Sequence, residues 1–325
     1  MKKLMSLVIL VLFLAGCTEP LPKVSTYLNS TSPALTTNQE ERIRSKILEV
    51  ISSADASGDV SALPSRVTGP ALDLRNIQML IKHTTGITDP NLQIPDTAEQ
   101  VIITNSLNWP RDVFVITNTT QDLQTERLLV IDQNSAREDY KLWGLVRLFT
   151  GVSLPSFEVA NIGSGYIAPD DVTLSLSPES ALEAYSSVLQ GDGSSEYAKN
   201  FMDDPLRQEI HMATAGAASE LGQLAGSQAQ TFTARKDRVR AIRSAEGGAL
   251  LVGQIDSSWT RNAGNGASAT AASDAEKAIL GSTRPTSSIT VNYINIVAIY
   301  IPPKTSGKLM QVVGAERYPV IARSN

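Results

Sequence analysis

The chain has 325 residues, of which 42% are hydrophobic and 19% charged, and a formal net charge of −5 at pH 7. That length and apolar content support a sizeable core and two domains of ordinary size, while the mild acidity argues against nucleic acid as a partner and against direct attraction to anionic lipid headgroups. A single cysteine excludes an intramolecular disulfide, so the core alone must hold the fold.

Lys2 and Lys3 precede Leu4 to Ala15, a run that is apolar except for Ser6. This is the charged-then-apolar order of a secretory signal. The run is about a dozen residues, whereas a spanning helix needs roughly 20, so the segment suits export better than permanent insertion. It ends in Leu14-Ala15-Gly16-Cys17, which resembles the lipobox of bacterial lipoproteins. The small residues give a signal peptidase access to the backbone, and the thiol is the nucleophile that accepts a diacylglyceryl group. The resemblance implies removal of residues 1–16 and lipidation of Cys17, with palmitate or a similar acyl chain. It places the protein on the outer face of the cytoplasmic membrane, in contact with the membrane through that lipid. Two or more acyl chains anchor stably where one is marginal. The plainer alternative is a cleaved soluble export signal followed by an unrelated cysteine.

Residues 17–36 are rich in Ser, Thr and Pro and read as a flexible tether. A chain of that length reaches on the order of 25 Å. A first α+β domain is expected over 37–150. Thr37 and Glu40 have capping-box spacing. Ile43, Ile47, Val50, Ile51 and Ala54 repeat with helical period, and Gly58 supplies a left-handed stop. A second helix is predicted from Ala71, Leu74, Ile77, Leu80 and Ile81. Short β-branched runs follow at Val101–Ile103, Val113–Val115, Leu128–Ile131 and Leu142–Phe149, with Asn108-Trp109-Pro110-Arg111 as a turn between two of them.

Residues 151–177, with Pro155, Gly163, Gly165 and Pro169, read as a linker, and a second α+β domain is expected over 178–325. Ser177-Pro178-Glu179 combines a cap, a first-turn proline and an acid. Pro205 opens a long helix with the stripe Leu206, Ile210, Ala213, Ala217, Leu221 and Leu224. Strands are expected at 229–243 and 249–260, then a small-residue stretch over 261–288 with a short helix at Asp274–Leu280. Ile289–Ile301 is the strongest strand, and Lys304–Lys308 turns the chain into a last pair of strands at 308–323. Helices followed by antiparallel strands, twice, is an α+β pattern.

A long helix wrapped by a curved antiparallel sheet is similar to the NTF2-like and cystatin-like superfolds. Arg66-Val67-Thr68-Gly69-Pro70-Ala71, Leu154-Pro155-Ser156-Phe157 and Ser177-Pro178-Glu179-Ser180-Ala181-Leu182 resemble segments of a family of actinobacterial lipoproteins. That resemblance carries no catalytic residues to transfer.

Chemical motifs are scarce. His83 and His211 are the only histidines, and neither has a second histidine or a cysteine at metal spacing, so a zinc site is not expected. Gly151-Val152-Ser153-Leu154-Pro155 begins like a nucleophile elbow but lacks its closing glycine. Gly191-Asp192-Gly193 and Gly264-Asn265-Gly266 lack dinucleotide and P-loop spacing. Asp203-Asp204 before Pro205 reads as a helix cap rather than a cation site. Arg235, Lys236, Arg238, Arg240 and Arg243 form the one basic cluster, read as a solvated edge. Trp109, Trp143 and Trp259 are candidate pocket-lining residues, with core filling as the alternative. No enzymatic activity and no cofactor are expected. The leading reading is a lipid-anchored, non-catalytic envelope protein that binds or scaffolds an envelope protein or cell-wall polymer. The alternatives are a small-ligand carrier, and a hydrolase that would need His83 or His211 in a cleft beside an acid and a nucleophile.

Overall fold

The computed structural model describes residues 32–90, 93–106, 108–120, 123–191, 194–281 and 286–324. Cys17, the signal segment and most of the tether lie outside the described residues. Residues 32–325 form one compact unit.

Helix α1 (Thr37–Ser57) starts one residue earlier than its expected box. Thr36 is the extended N-cap and exchanges hydrogen bonds with Gln39, not Thr37 with Glu40. Both pairs have the right spacing, but Glu40 is buried and bonded to Arg44, so its carboxylate serves the core. Gly58 ends the helix at φ 75°. Helix α2 (Gly69–Thr85) follows, with Pro70 in its first turn. Gly69 is at φ 55°, and a Cβ there would lie 2.7 Å from the Trp143 indole, so only glycine lets this helix start pack on the sheet.

Two four-stranded antiparallel sheets, one from each half of the chain, give the α+β class. The first comprises β1 (Ala98–Ile103), β2 (Arg111–Thr117), β3 (Arg127–Gln133) and β4 (Lys141–Arg147), in that order. The second comprises β5 (Ser227–Arg243), β6 (Ala249–Asn262), β7 (Ser288–Ile301) and β8 (Gln311–Ser324), again in sequence order. Helices α3 (Pro178–Gly191), α4 (Pro205–Gly222) and α5 (Asp274–Leu280) complete the fold.

Alternation along the second sheet explains its layers. Leu250, Val252, Ile294 and Ile296 join a core with α1, α2 and all four strands of the first sheet. Their neighbours Leu251, Ile255, Val297 and Ile299 point the other way, into a core with α3 and the start of α4. A sheet covered on both faces needs apolar residues at both parities, which is why β7 reads as a nearly continuous apolar run. The halves therefore share a core. The expected linker, 151–177, connects them and bonds to both sheets: Ser164 N–H donates to Ile103, Arg243 N–H to Gly165, and Ser175 N–H to Pro302.

Two expectations are corrected. The run 308–323 holds one strand, not two; Met310 pairs with the Phe201 segment, and β8 then continues through a bulge near Gly314 without a turn. There the end of β4 crosses β8 so closely that a Cβ on Gly314 would lie 2.5 Å from the Arg147 carbonyl oxygen. On α4 only Leu206 and Ile210 of the expected stripe are buried. Its later stripe positions, Ala213, Ala217, Leu221 and Leu224, leave one flank open above the second sheet.

Candidate functional site

That open flank bounds a cleft of about 980 Å³, at the upper end of the range for small-molecule pockets. Its floor is the helix-facing side of β6, β7 and β8. Leu206, Ile210 and Ala213 of α4 form one wall, Ser273 to Glu276 around the start of α5 another, and Arg147 to Thr150 after β4 close an end.

Strand register builds the polar floor. Ser257 pairs with Tyr293 across β6 and β7, and Asn295 with Arg317 across β7 and β8. Partners in a ladder share a face, so all four project to the same side. Asn295 is fully buried and held by its Nδ2, which donates to the Ile255 carbonyl at 2.8 Å and to Ser257 Oγ at 3.0 Å. This presents Oδ1 to Arg317. Arg317 Nη1 donates to Asn295 Oδ1 at 2.6 Å and to Ser257 Oγ at 3.0 Å, and its guanidinium lies 3.9 Å from the Tyr293 ring centroid. No carboxylate of the described residues forms an ion pair with it. Burial pulls its pKa below the ordinary arginine range, opposed by Tyr293 and, at longer range than an ion pair, by the carboxylates of Glu209, which also lines the cleft, and Glu276.

The neighbouring charges are already matched. Arg261 stacks over Trp259 at 4.2 Å and forms a fork with Glu276. Glu276 also accepts from the Tyr293 hydroxyl and the Ala272 N–H. Burial and the Glu276 carboxylate raise the Tyr293 pKa, keeping the phenol neutral. On the opposite face of β8, Glu316 is buried and its pKa is pushed up to about 7, with Arg147 Nε 3.9 Å away.

The three expected tryptophans are dispersed. Trp259 lines the cleft. Trp143 belongs to the inter-sheet core beneath Arg240, and Trp109 is largely exposed before β2 with Arg111 over its ring. His83 is exposed near the C-terminal end of α2, and His211 is exposed on α4; neither lines the cleft. Asp204 caps α4, as expected, accepting from Arg207 N–H, and also accepts from the Tyr185 hydroxyl.

The basic cluster is less solvated than expected. Arg235 pairs with Asp237 and Asp256, Lys236 with Glu183, Arg238 with Asp73, and Arg243 with Asp171. Arg240 turns into the core between the sheets. It lies 2.7 Å from Asp132 Oδ2, 3.4 Å from Asp112 Oδ1 and 4.7 Å from the Trp143 ring centroid. Burial pushes the Asp112 pKa up to about 7 and raises that of Asp132, with Arg240 opposing both shifts.

Arg317, Asn295, Ser257 and Tyr293 were not singled out from sequence. A usable signal was present: Asn295 is a polar residue inside the most apolar strand, at a position that must point into the structure. Among the described residues, no group of three or more His, Cys, Asp and Glu side chains is placed to hold a metal ion. No described helix is long and apolar enough to cross a membrane.

No curated protein and no solved structure matches this chain. The family described as Domain of unknown function (DUF8094) matches residues 31–324, nearly the whole chain, and the chain belongs to that family.

Proposed function

We propose that this chain is a lipid-anchored envelope protein that carries a small anionic ligand in the cleft on its second sheet. The observation that carries the reading is Arg317: a cation on the floor of a large cleft, hydrogen-bonded to neutral groups and with no ion-pair partner among the described residues. A buried charge left uncompensated is costly, and an anion in the cleft would supply what the protein itself does not.

The anchor rests on Leu14-Ala15-Gly16-Cys17. It implies export, lipid on Cys17 and residence on the outer face of the cytoplasmic membrane. The motifs around Arg66, Leu154 and Ser177 support a place among actinobacterial lipoproteins. Helices α3 and α4 on one face of the second sheet support an NTF2-like or cystatin-like half, a shape that encloses ligands between helix and sheet. The reading is non-catalytic. His83 and His211 lie off the cleft, Glu276 is occupied by Arg261, Tyr293 and a backbone amide, and Glu316, though its pKa is raised, lies on the opposite face of β8 from Arg317.

The test uses the full chain expressed in a lipoprotein-processing bacterium and extracted in mild detergent. Mass spectrometry of the denatured extract should find a small anion released in near-stoichiometric amount from the wild type. An Ala213→Trp variant, which fills the cleft from the exposed side of α4, should release far less. In parallel, Cys17→Ser should leave the membrane fraction or keep its signal segment. Equal small-molecule content in wild type and Ala213→Trp overturns the carrier; unchanged membrane partition and mature mass in Cys17→Ser overturns the anchor.

A further inference from the structure

Resting on the carrier reading, we propose that the ligand is an organic monocarboxylate with an apolar body, its carboxylate received by the free edge of the Arg317 guanidinium. Three features of the site select that chemistry.

The first is the way Arg317 is held. Both of its hydrogen bonds to described residues leave from Nη1, to Ser257 Oγ and Asn295 Oδ1. The Tyr293 ring, 3.9 Å away, covers one face of the guanidinium. Recognition through the covered face is blocked, and Nη1 is occupied. The remaining in-plane edge, Nε with Nη2, offers two parallel N–H donors at the spacing of a carboxylate's two oxygens. Asn295, locked by its own two donated bonds, fixes the plane of that edge before any ligand arrives. The fork is thus preorganised, and little side-chain entropy is lost on binding.

The second is the charge count. Arg261 is neutralised by Glu276, and Arg147 is turned toward Glu316, on the opposite face of β8 from Arg317. Arg317 has no ion-pair partner among the described residues, but Glu209 of α4 also lines the cleft and acts on it at longer range, so the excess of positive charge there is at most one and suits a singly charged head group. A phosphate monoester, with nearly two charges and three equatorial oxygens, would need a second cation beside Arg317, and none of the described residues supplies it.

The third is the wall. Leu206, Ile210 and Ala213 face Trp259 and Ala315 across the cleft. A carboxylate alone would leave most of a space of about 980 Å³ unfilled. An apolar body along this wall would bury hydrocarbon at roughly 25 cal/mol per Å², which is where such a ligand gains affinity beyond its head group.

The experiment titrates octanoate, its neutral isostere octanamide, octyl phosphate and inorganic phosphate against the detergent-solubilised full chain. Intrinsic tryptophan fluorescence and thermal unfolding are the readouts, with Trp259 as the reporter in the cleft. Octanoate should bind saturably and raise the unfolding temperature. Octanamide should bind about tenfold or more weakly, the worth of a charge-assisted hydrogen bond. Inorganic phosphate should have no effect. Arg317→Gln should reduce octanoate to the octanamide level, and Arg317→Lys, which keeps the charge but loses the fork, should recover only part of the preference. Equal binding of octanoate and octanamide, tighter binding of octyl phosphate, or no binding of octanoate each overturns the carboxylate assignment. These outcomes are separable from failure of the carrier reading. A co-purified ligand lost in Ala213→Trp would keep the carrier standing while its mass revealed a different head group.

Discussion

Arg240 and Arg317 are the same side chain placed on the second sheet in the same manner, each with its guanidinium against an aromatic ring. They differ in what lies in the plane. Arg240, between the sheets, meets two carboxylates, Asp132 at 2.7 Å and Asp112 at 3.4 Å. Arg317, in the cleft, meets an amide and a hydroxyl. The first charge is neutralised inside the protein, at the expense of burying two acids to do so. The second is oriented but not neutralised. A protein that needs a cation only for structure gains nothing from the second arrangement, because neutral partners return less of the desolvation cost than a carboxylate would. What separates a structural arginine from a ligand-binding one here is therefore the identity of the in-plane partner, not burial or aromatic stacking.

The largest expected effect comes from removing the neutralised cation. Arg240→Leu leaves Asp112 and Asp132 buried without their counter-charge and should destabilise the fold by about 3–5 kcal/mol at neutral pH. Urea unfolding of the full chain followed by far-ultraviolet circular dichroism reads this directly. Adding Asp112→Asn to Arg240→Leu should recover part of the loss, since it removes one of the two stranded charges. A single-variant cost below about 1 kcal/mol, the level of an ordinary surface ion pair, would erase the distinction between the two arginines.

Two buried acids, Asp112 beside Arg240 and Glu316 near Arg147, also predict an uncommon pH dependence. Asp112 titrates at about 7 in the folded protein against an ordinary value of 3.8, and Glu316 at about 7 against 4.5. Both folded values lie above the unfolded ones. Below about pH 3 each group is protonated in both states and imposes no penalty. As pH rises toward 7, the unfolded chain releases these protons first, so the native state binds more protons and stability falls; above about pH 7 this contribution levels off. One pKa unit is worth about 1.4 kcal/mol, so the decline should be measurable by urea titrations at pH 5, 6, 7 and 8. Asp112→Asn should make the decline shallower. Stability that rises over that interval and is untouched by Asp112→Asn would show that Asp112 ionises normally and that Arg240 compensates it fully.

The helices and strands were legible because each carries its own local signal. Thr36 and Gln39 cap α1, proline and an aspartate open α4, and the apolar run of β7 reports a strand covered on both faces. Errors of position arose where one signal served two registers, as with the adjacent capping boxes at Thr36 and Thr37. The cleft was not legible in the same way. Arg317 reaches Ser257 and Asn295 across 60 and 22 residues of sequence. Their meeting depends on the register of three strands, including the shift between Asn292 and Tyr293 on β7. A bulge that moves one strand by a residue would send Arg317 to the opposite face, and no local pattern states where a bulge falls. The tryptophans divide between the two readings for a related reason. Their scarcity marked them, but Trp143 is fixed by its packing on Gly69 and Arg240, and only Trp259 shares a face with the cleft. The basic run Arg235–Arg243 looked uniform in sequence, yet strand alternation and the bulge between Ala234 and Val239 distribute its members among separate acids.

The smallest expected effect is on the second arginine, and it is the sharpest test of the distinction. Arg317→Gln should change the stability of the ligand-free protein by less than about 1 kcal/mol. The guanidinium–ring contact with Tyr293 is worth about 0.5–1 kcal/mol at an accessible site and more when desolvated. The hydrogen bonds to Ser257 and Asn295 add a modest net term. Against these stands the desolvation of a charge with no ion-pair partner among the described residues, which the substitution removes, and Gln keeps an amide able to bond with Asn295. The opposing contributions are of similar size. The measurement is the same urea titration, made on protein freed of ligand by unfolding and refolding, with a second titration in saturating octanoate. Ligand-free stability near that of the wild type, together with loss of the octanoate stabilisation, assigns Arg317 to binding. A loss in the ligand-free protein as large as that of Arg240→Leu would make Arg317 a structural residue, and the neutral groups around it would then need another reason to be there.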